Sequence, residues 1–134
     1  MGVVRPDQAM NQLVSNEGRV ARWTVTGSLT RTLKAYENHL VITIGSGDAG
    51  VLTMPDVGAA AGQHYFIYCP GTFAGGATVV IHFPDDPLVF DVSNAAGELA
   101  AAFGDTGQDL TADGDYIHFY SNGVIWQVLA NRTT

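Results

Sequence analysis

From residue 20 onward, apolar and polar residues alternate with a period of two along most of the chain, and the apolar positions are rich in Val, Ile, Tyr, Phe and Trp. The alternation predicts about eight strands, over 20–26, 39–44, 51–54, 63–69, 77–83, 88–92, 115–121 and 124–130. Clusters of Gly, Pro, Asn and Asp separate them, which is the spacing of an antiparallel sandwich or barrel. The last pair carries the sharpest local signal: Asn122-Gly123 lies between two alternating runs and supplies the positive φ of a tight hairpin turn.

Two stretches depart from this pattern. Residues 1–19 lack aromatics, and Met10, Leu13 and Val14 fall at helical spacing after Pro6-Asp7, until Asn16 and Gly18 end the run. This segment is expected to be an extended arm with one or two helical turns. The alanine-rich segment 93–104 starts at a capping residue, Asn94, and stops at Gly104, so a short helix competes there with an ordered loop. No internal repeat is visible in the sequence. The organisation expected is an N-terminal arm over 1–19 and one all-β domain over 20–134, a single sandwich with jelly-roll-like winding.

Composition supports one folded domain. A chain of 134 residues buries roughly two thirds of its unfolded surface. With 46% hydrophobic and only 14% charged residues, its outside has to carry apolar area, which marks interfaces and predicts an oligomer. The net charge of −7 and the lack of any basic run argue against nucleic acid as a partner. Charge is nonetheless split: Arg5, Arg19, Arg22, Arg31 and Lys34 fall in the first 34 residues, and 35–131 holds no Lys or Arg. A basic arm before an acidic remainder suits docking on an acidic surface. No apolar run reaches the roughly 18 residues of a membrane helix, and the N-terminus lacks a signal-peptide layout, so synthesis in the cytoplasm is expected. Cys69 is the only cysteine; it continues the apolar row of Tyr65 and Ile67 and reads as a small core residue.

The candidate chemistry is sparse. Asp105-Thr106-Gly107 matches the loop of a dimeric aspartic protease, in which two carboxylates share a proton, but no strongly apolar strand leads into it, and an acidic surface turn fits better. Asp105, Asp109, Asp113 and Asp115 are close enough to suggest calcium, yet the spacing matches no EF-hand, and turn carboxylates bonded to backbone are the simpler reading. The run Gly45-Ser46-Gly47-Asp48-Ala49-Gly50 lacks the lysine of a phosphate loop and reads as a tight turn. His39, His64, His82 and His118 occupy four different predicted strands without metal-ligand spacing, so strand histidines rather than a zinc site are expected. No Ser, His and acidic trio is placed by any motif, and no cofactor, metal site or catalytic residue is expected.

Three segments carry a resemblance: Val51-Leu52-Thr53-Met54-Pro55; 58–67, an Ala/Gly turn entering an aromatic strand; and the closing Gly114-Asp115-Tyr116 strand followed by Ser121-Asn122-Gly123 and a strand bearing Trp126. Over roughly 38–130 the chain resembles β-rich modules of tailed-phage virions, which occur as capsid decoration (cement) proteins and as trimeric fibre heads. The resemblance implies a homotrimer with a structural role and no enzymatic activity. Taken with the length of the chain, it favours a decoration protein over a fibre head, which ends a long shaft-bearing chain. The arm residues Val3, Arg5, Met10, Leu13, Val14 and Arg19 would then grip the major capsid protein on the outside of the head. The alternative within the family is a fibre or spike tip that binds a host-surface glycan through exposed aromatics such as Tyr36, Tyr116 and Tyr120. A nucleic-acid or membrane partner is not expected.

Overall fold

In the computed structural model of the chain, residues 20–70, 75–85, 87–91, 108–112 and 114–132 are described. They form ten strands: β1 (Ala21–Val25), β2 (Ser28–Thr32), β3 (His39–Ile44), β4 (Ala49–Thr53), β5 (His64–Tyr68), β6 (Thr78–His82), β7 (Val89–Asp91), β8 (Gln108–Leu110), β9 (Tyr116–Ser121) and β10 (Trp126–Arg132). Two mixed sheets result, a six-stranded one in the order β1-β3-β5-β9-β10-β7 and a four-stranded one in the order β2-β4-β6-β8. No helix among the described residues is long and apolar enough to cross a membrane. The arm with its six proposed contact residues, and the helix weighed for 93–104, lie outside the described residues.

The all-β class is as the alternation implies, but the antiparallel pairing is corrected. Five of the strand pairs are parallel, namely β1 with β3, β3 with β5, β2 with β4, β4 with β6, and β7 with β10. Only β5 with β9, β6 with β8, and β9 with β10 run antiparallel. The reason lies in the connections. From β1 to β9 the chain changes sheet at every step, so consecutive strands up to β9 never pair; β1 to β6 and β8 each lie beside a strand two places away, whereas β7 joins β10 and β9 lies between β5 and β10. Strand pairs β1–β2, β3–β4 and β5–β6 thus form three stacked coils.

Glycine-rich corners make this possible. Gly27, Gly47 and Gly76 have φ of +65°, +73° and +81°, a region that glycine enters without steric cost. The corners also bond to one another: the Ala49 amide donates to the Gly27 carbonyl (2.8 Å), and the Gly47 amide to the Gly75 carbonyl (3.2 Å). Asp48 Oδ1 accepts from the Gly27 amide at 2.9 Å, and Ser46 Oγ donates to the Gly75 carbonyl at 2.9 Å. The turn expected over 45–50 spans 45–48, closed by the Asp48 amide donating to the Gly45 carbonyl at 3.2 Å, and Ala49-Gly50 open β4. At the opposite end of the coils, the Leu33 amide donates to the Thr53 carbonyl and the Met54 amide to the His82 carbonyl, both at 2.8 Å.

One core cluster draws on both sheets. The inward rows of the six-stranded sheet are Trp23 and Val25; Leu40, Ile42 and Ile44; Tyr65 and Ile67; Ile117 and Phe119; and Trp126 and Val128, all buried. Leu52, Val79, Ile81 and Leu110 face them from the four-stranded sheet. Gly50 on β4 lies so close under Trp23 and Val25 that a Cβ there would stand 3.0 and 3.2 Å from their side chains. Phe83, just after β6, packs edge-on to Phe119 (5.3 Å between centroids) and beside Trp126 (5.6 Å), tying the two sheets through rings. Cys69 is fully buried, as its place in the Tyr65 and Ile67 row requires.

The final hairpin exists, but its loop is longer than a two-residue turn. Trp126 pairs with Ser121, leaving 122–125 as the loop, and a bulge follows between Val128 and Ala130. Only Gly123 (φ +94°) enters the left-handed region, whereas the tight turn needs two such residues. Asn122 instead caps the loop with Oδ1, which accepts from the Val124 and Ile125 amides at 2.9 and 2.8 Å.

Candidate functional site

The strands that bury their inward rows display their other rows on the outer face of the six-stranded sheet. On β3, β5 and β9 these outward residues are His39, Val41 and Thr43; His64, Phe66 and Tyr68; and Tyr116, His118 and Tyr120. None is charged, in a chain of net charge −7. Seven of the nine are aromatic or imidazole rings. Register brings them together, because His39 stands opposite Phe66, Phe66 opposite His118, Tyr68 opposite Tyr116, and His64 opposite Tyr120.

Phe66 is the hub. Its ring stacks on Tyr116 (5.6 Å, 29°), meets His39 edge-on (5.3 Å, 83°), and lies 6.1 and 6.2 Å from Tyr68 and His118. These rings are half-buried by one another and keep part of their surface open to solvent, while His64 is exposed. Beside the hub, His64 Nδ1 and His118 Nε2 share a hydrogen bond at 3.0 Å, and Tyr120 packs against His64 at 4.7 Å. Burial, and then the nearby charge of His64, lower the pKa of His118, so its neutral imidazole is favoured. Arg22 beside Val41 and Arg132 beside Tyr116 flank these rows on the same face, and uncharged rings at the centre with charge at the rim is the composition of a protein interface.

Elsewhere the chemistry is structural. Asp115 is fully buried, and its Oδ2 accepts from the Thr111 and Ala112 amides at 3.0 Å, which holds the turn into β9. This is a backbone-bonded turn carboxylate. Asp105 and Asp113 lie outside the described residues, as does the side chain of Asp109. Among the described residues no group of three or more His, Cys, Asp or Glu side chains is placed to hold a metal ion. Tyr65 is buried and donates from its hydroxyl to the Ala35 carbonyl at 2.6 Å; burial pushes its pKa up to about 12. Arg31 pairs with Glu37, which also accepts from the Lys34 amide at 2.9 Å, and Lys34 sits 5.8 Å over the Tyr36 ring. Ala35, Tyr36, Ala59 and Gln63 line a hollow of about 180 Å³, smaller than the roughly 300 Å³ at which small-molecule sites begin.

Of the aromatics singled out in the sequence, Tyr116 and Tyr120 belong to the ring face, and Tyr36 stands apart from it, 55% exposed, in the turn before β3. His118 shares its face with Tyr116 and Tyr120, as the alternation of β9 requires. His82 is on the four-stranded sheet and exposed, remote in topology from the other three histidines. The contact that sequence reasoning missed is His64 with His118. Strand alternation places each on an outer face, but only the pairing of β5 with β9, 54 residues apart, makes them neighbours. No protein-family model matches the chain, and neither a curated protein nor a solved structure shows significant similarity to it.

Proposed function

We propose that this chain is a structural protein of a tailed-phage virion, a decoration protein that binds the outside of the head as a homotrimer and stabilises it, without enzymatic activity. The observation that carries the reading is the uncharged, ring-bearing outer face over β3, β5 and β9. Molecules that each carry −7 repel one another over most of their surface, and an uncharged patch is where copies can meet at least electrostatic cost. In this reading the two sheets are the layers of a sandwich, the ring face joins subunits, and the basic arm with Arg5 and Arg19 reaches the major capsid protein. Several weak arm contacts from one trimer combine into strong avidity for the shell.

A second reading, a fibre or spike tip that binds a host-surface glycan, is favoured by one feature: the partly open Phe66 and Tyr116 rings form a shelf of the kind on which a sugar ring stacks.

Light scattering coupled to size exclusion, followed by mixing with undecorated heads and imaging of the sedimented particles, tests the proposal. The expected result is a trimer that appears at fixed positions on the shell, and whose binding is lost, with folding retained, when residues 1–18 are removed. A monomer, or a trimer that ignores shells, overturns it. Retention on a glycan array would then support the second reading.

A further inference from the structure

We propose that His64 and His118 form a two-imidazole chelate for a late first-row divalent cation, of the Ni²⁺ and Cu²⁺ class, on the outer face of the six-stranded sheet. The inference stands on the geometry of the pair and does not depend on the virion reading.

His64 Nδ1 and His118 Nε2 are 3.0 Å apart. Metal–imidazole bonds of about 2.0–2.1 Å to both atoms would subtend an angle a little above 90° at the ion. That is the angle between neighbouring ligands in square-planar or octahedral coordination, which Cu²⁺ and Ni²⁺ adopt with nitrogen ligands. The rings meet nearly end to end in the metal-free pair, with centroids 5.2 Å apart, so each turns to aim its lone pair at the ion. Tetrahedral zinc would need the two nitrogens to open by a few tenths of an ångström. Irving–Williams order points the same way, with Cu²⁺ held most strongly.

The site is built rather than accidental in its packing. His64 opens β5 and His118 lies within β9, and the pairing of these strands makes the two histidines diagonal neighbours on one face. Tyr120 packs against the His64 ring at 4.7 Å, and Phe66 lies beside His118, which limits the rotamers of both. His64 is exposed, so the ion has a route in, and solvent takes the remaining coordination positions. In the metal-free pair, one ring donates its proton to the other nitrogen. Binding requires both contacting nitrogens to present lone pairs, so that proton moves to the far nitrogen of the same ring, Nε2 of His64 or Nδ1 of His118. No net proton is lost if both imidazoles start neutral.

The test is isothermal titration calorimetry of the full chain, carrying no polyhistidine tag, with NiCl₂, CuCl₂ and ZnCl₂ in turn near pH 7.5. One ion per chain is expected, with affinity in the order Cu²⁺ above Ni²⁺. His64→Gln and His118→Gln should each weaken binding by at least about tenfold, because the second imidazole of a chelate acts at high effective concentration. His39→Gln and His82→Gln should leave it unchanged. His64 is exposed, so H64Q carries the test even if H118Q impairs folding, and circular dichroism checks the fold of each variant. No saturable Ni²⁺ or Cu²⁺ binding, or binding that survives H64Q in the folded protein, overturns the assignment.

Discussion

Replacing Gly50 with alanine puts a methyl group against the Trp23 and Val25 side chains of the other sheet. The new carbon would stand 3.0 Å from Trp23 Cη2 and 3.2 Å from one Val25 methyl, closer than ordinary van der Waals contact, and 3.4 Å from the other methyl. Overpacking of this kind costs about 1–3 kcal/mol. Alanine also reduces the freedom of the unfolded chain, which returns about 0.4–1 kcal/mol. The net expectation is a loss of about 0.5–2 kcal/mol. The cause can be isolated, because Cη2 belongs to the outer edge of the indole and phenylalanine has no atom there. Trp23→Phe alone leaves a cavity and destabilises, but in its presence the added methyl has room. The double variant G50A/W23F should therefore be more stable than the sum of the single losses predicts, by about 1 kcal/mol, where independent sites would add to within about 0.5 kcal/mol. Urea unfolding of the four proteins, followed by far-ultraviolet circular dichroism, gives the cycle. Native or higher stability of G50A, or simple additivity, would refute the claim that Trp23 seals the sheets over Gly50.

Two further outcomes follow from buried hydroxyls. Tyr65 ionises near 10 when unfolded but near 12 when folded, so its contribution is intact below pH 10 and is lost as pH rises toward 12; the loss amounts to about 2–3 kcal/mol. Comparing alkaline unfolding of the native chain with that of Tyr65→Phe isolates this component, which should vanish in the variant, and equal pH slopes would count against it. Ser121 is fully buried, its Oγ donating to the Val57 carbonyl at 2.6 Å and accepting from the Gly123 amide at 3.1 Å. Ser121→Ala should cost about 1–3 kcal/mol in thermal or urea unfolding, since a half-buried carbonyl loses its donor and the Gly123 amide its acceptor; a change below about 0.5 kcal/mol would show that solvent or a neighbouring group replaces it.

Period-two alternation was enough to locate eight of the ten strands, with His39–Ile44 matching the expected bounds. The two it missed explain themselves. Ser28–Thr32 is an edge strand whose residues are all exposed or half-buried, so no apolar row marks it. Gln108–Leu110 has only three residues, too few to establish a period. Pairing was a harder matter. A Gly-Ser or Gly-Asp step between two alternating runs reads as a hairpin turn, but at Gly27 and Gly47 it is a corner that delivers the chain to the opposite sheet. The stacked coils also leave no fixed period, because 19 residues separate Ala21 from its partner Leu40 and 27 separate Leu40 from Ile67. The ring face was half legible: each strand's outward residues could be assigned, but neither the Phe66 hub nor the His64 and His118 contact follows without knowing that β5 lies beside β9.

The strict exchange of sheets from β1 to β9 also bears on how the chain reaches this structure. Apart from the β9–β10 hairpin, every described strand pair joins segments about twenty or more residues apart, and His64 waits for Tyr120, 56 residues later. Each such closure costs loop entropy before its ladder yields any return, which places the chain among slow, high-contact-order folders on the millisecond-to-second scale. On a ribosome, coils emerging first would have parallel partners only one coil at a time, and the six-stranded sheet could not close until Tyr116–Ser121 had been made. The one locally specified element is thus the last to appear, and folding of the whole domain is expected to wait for it.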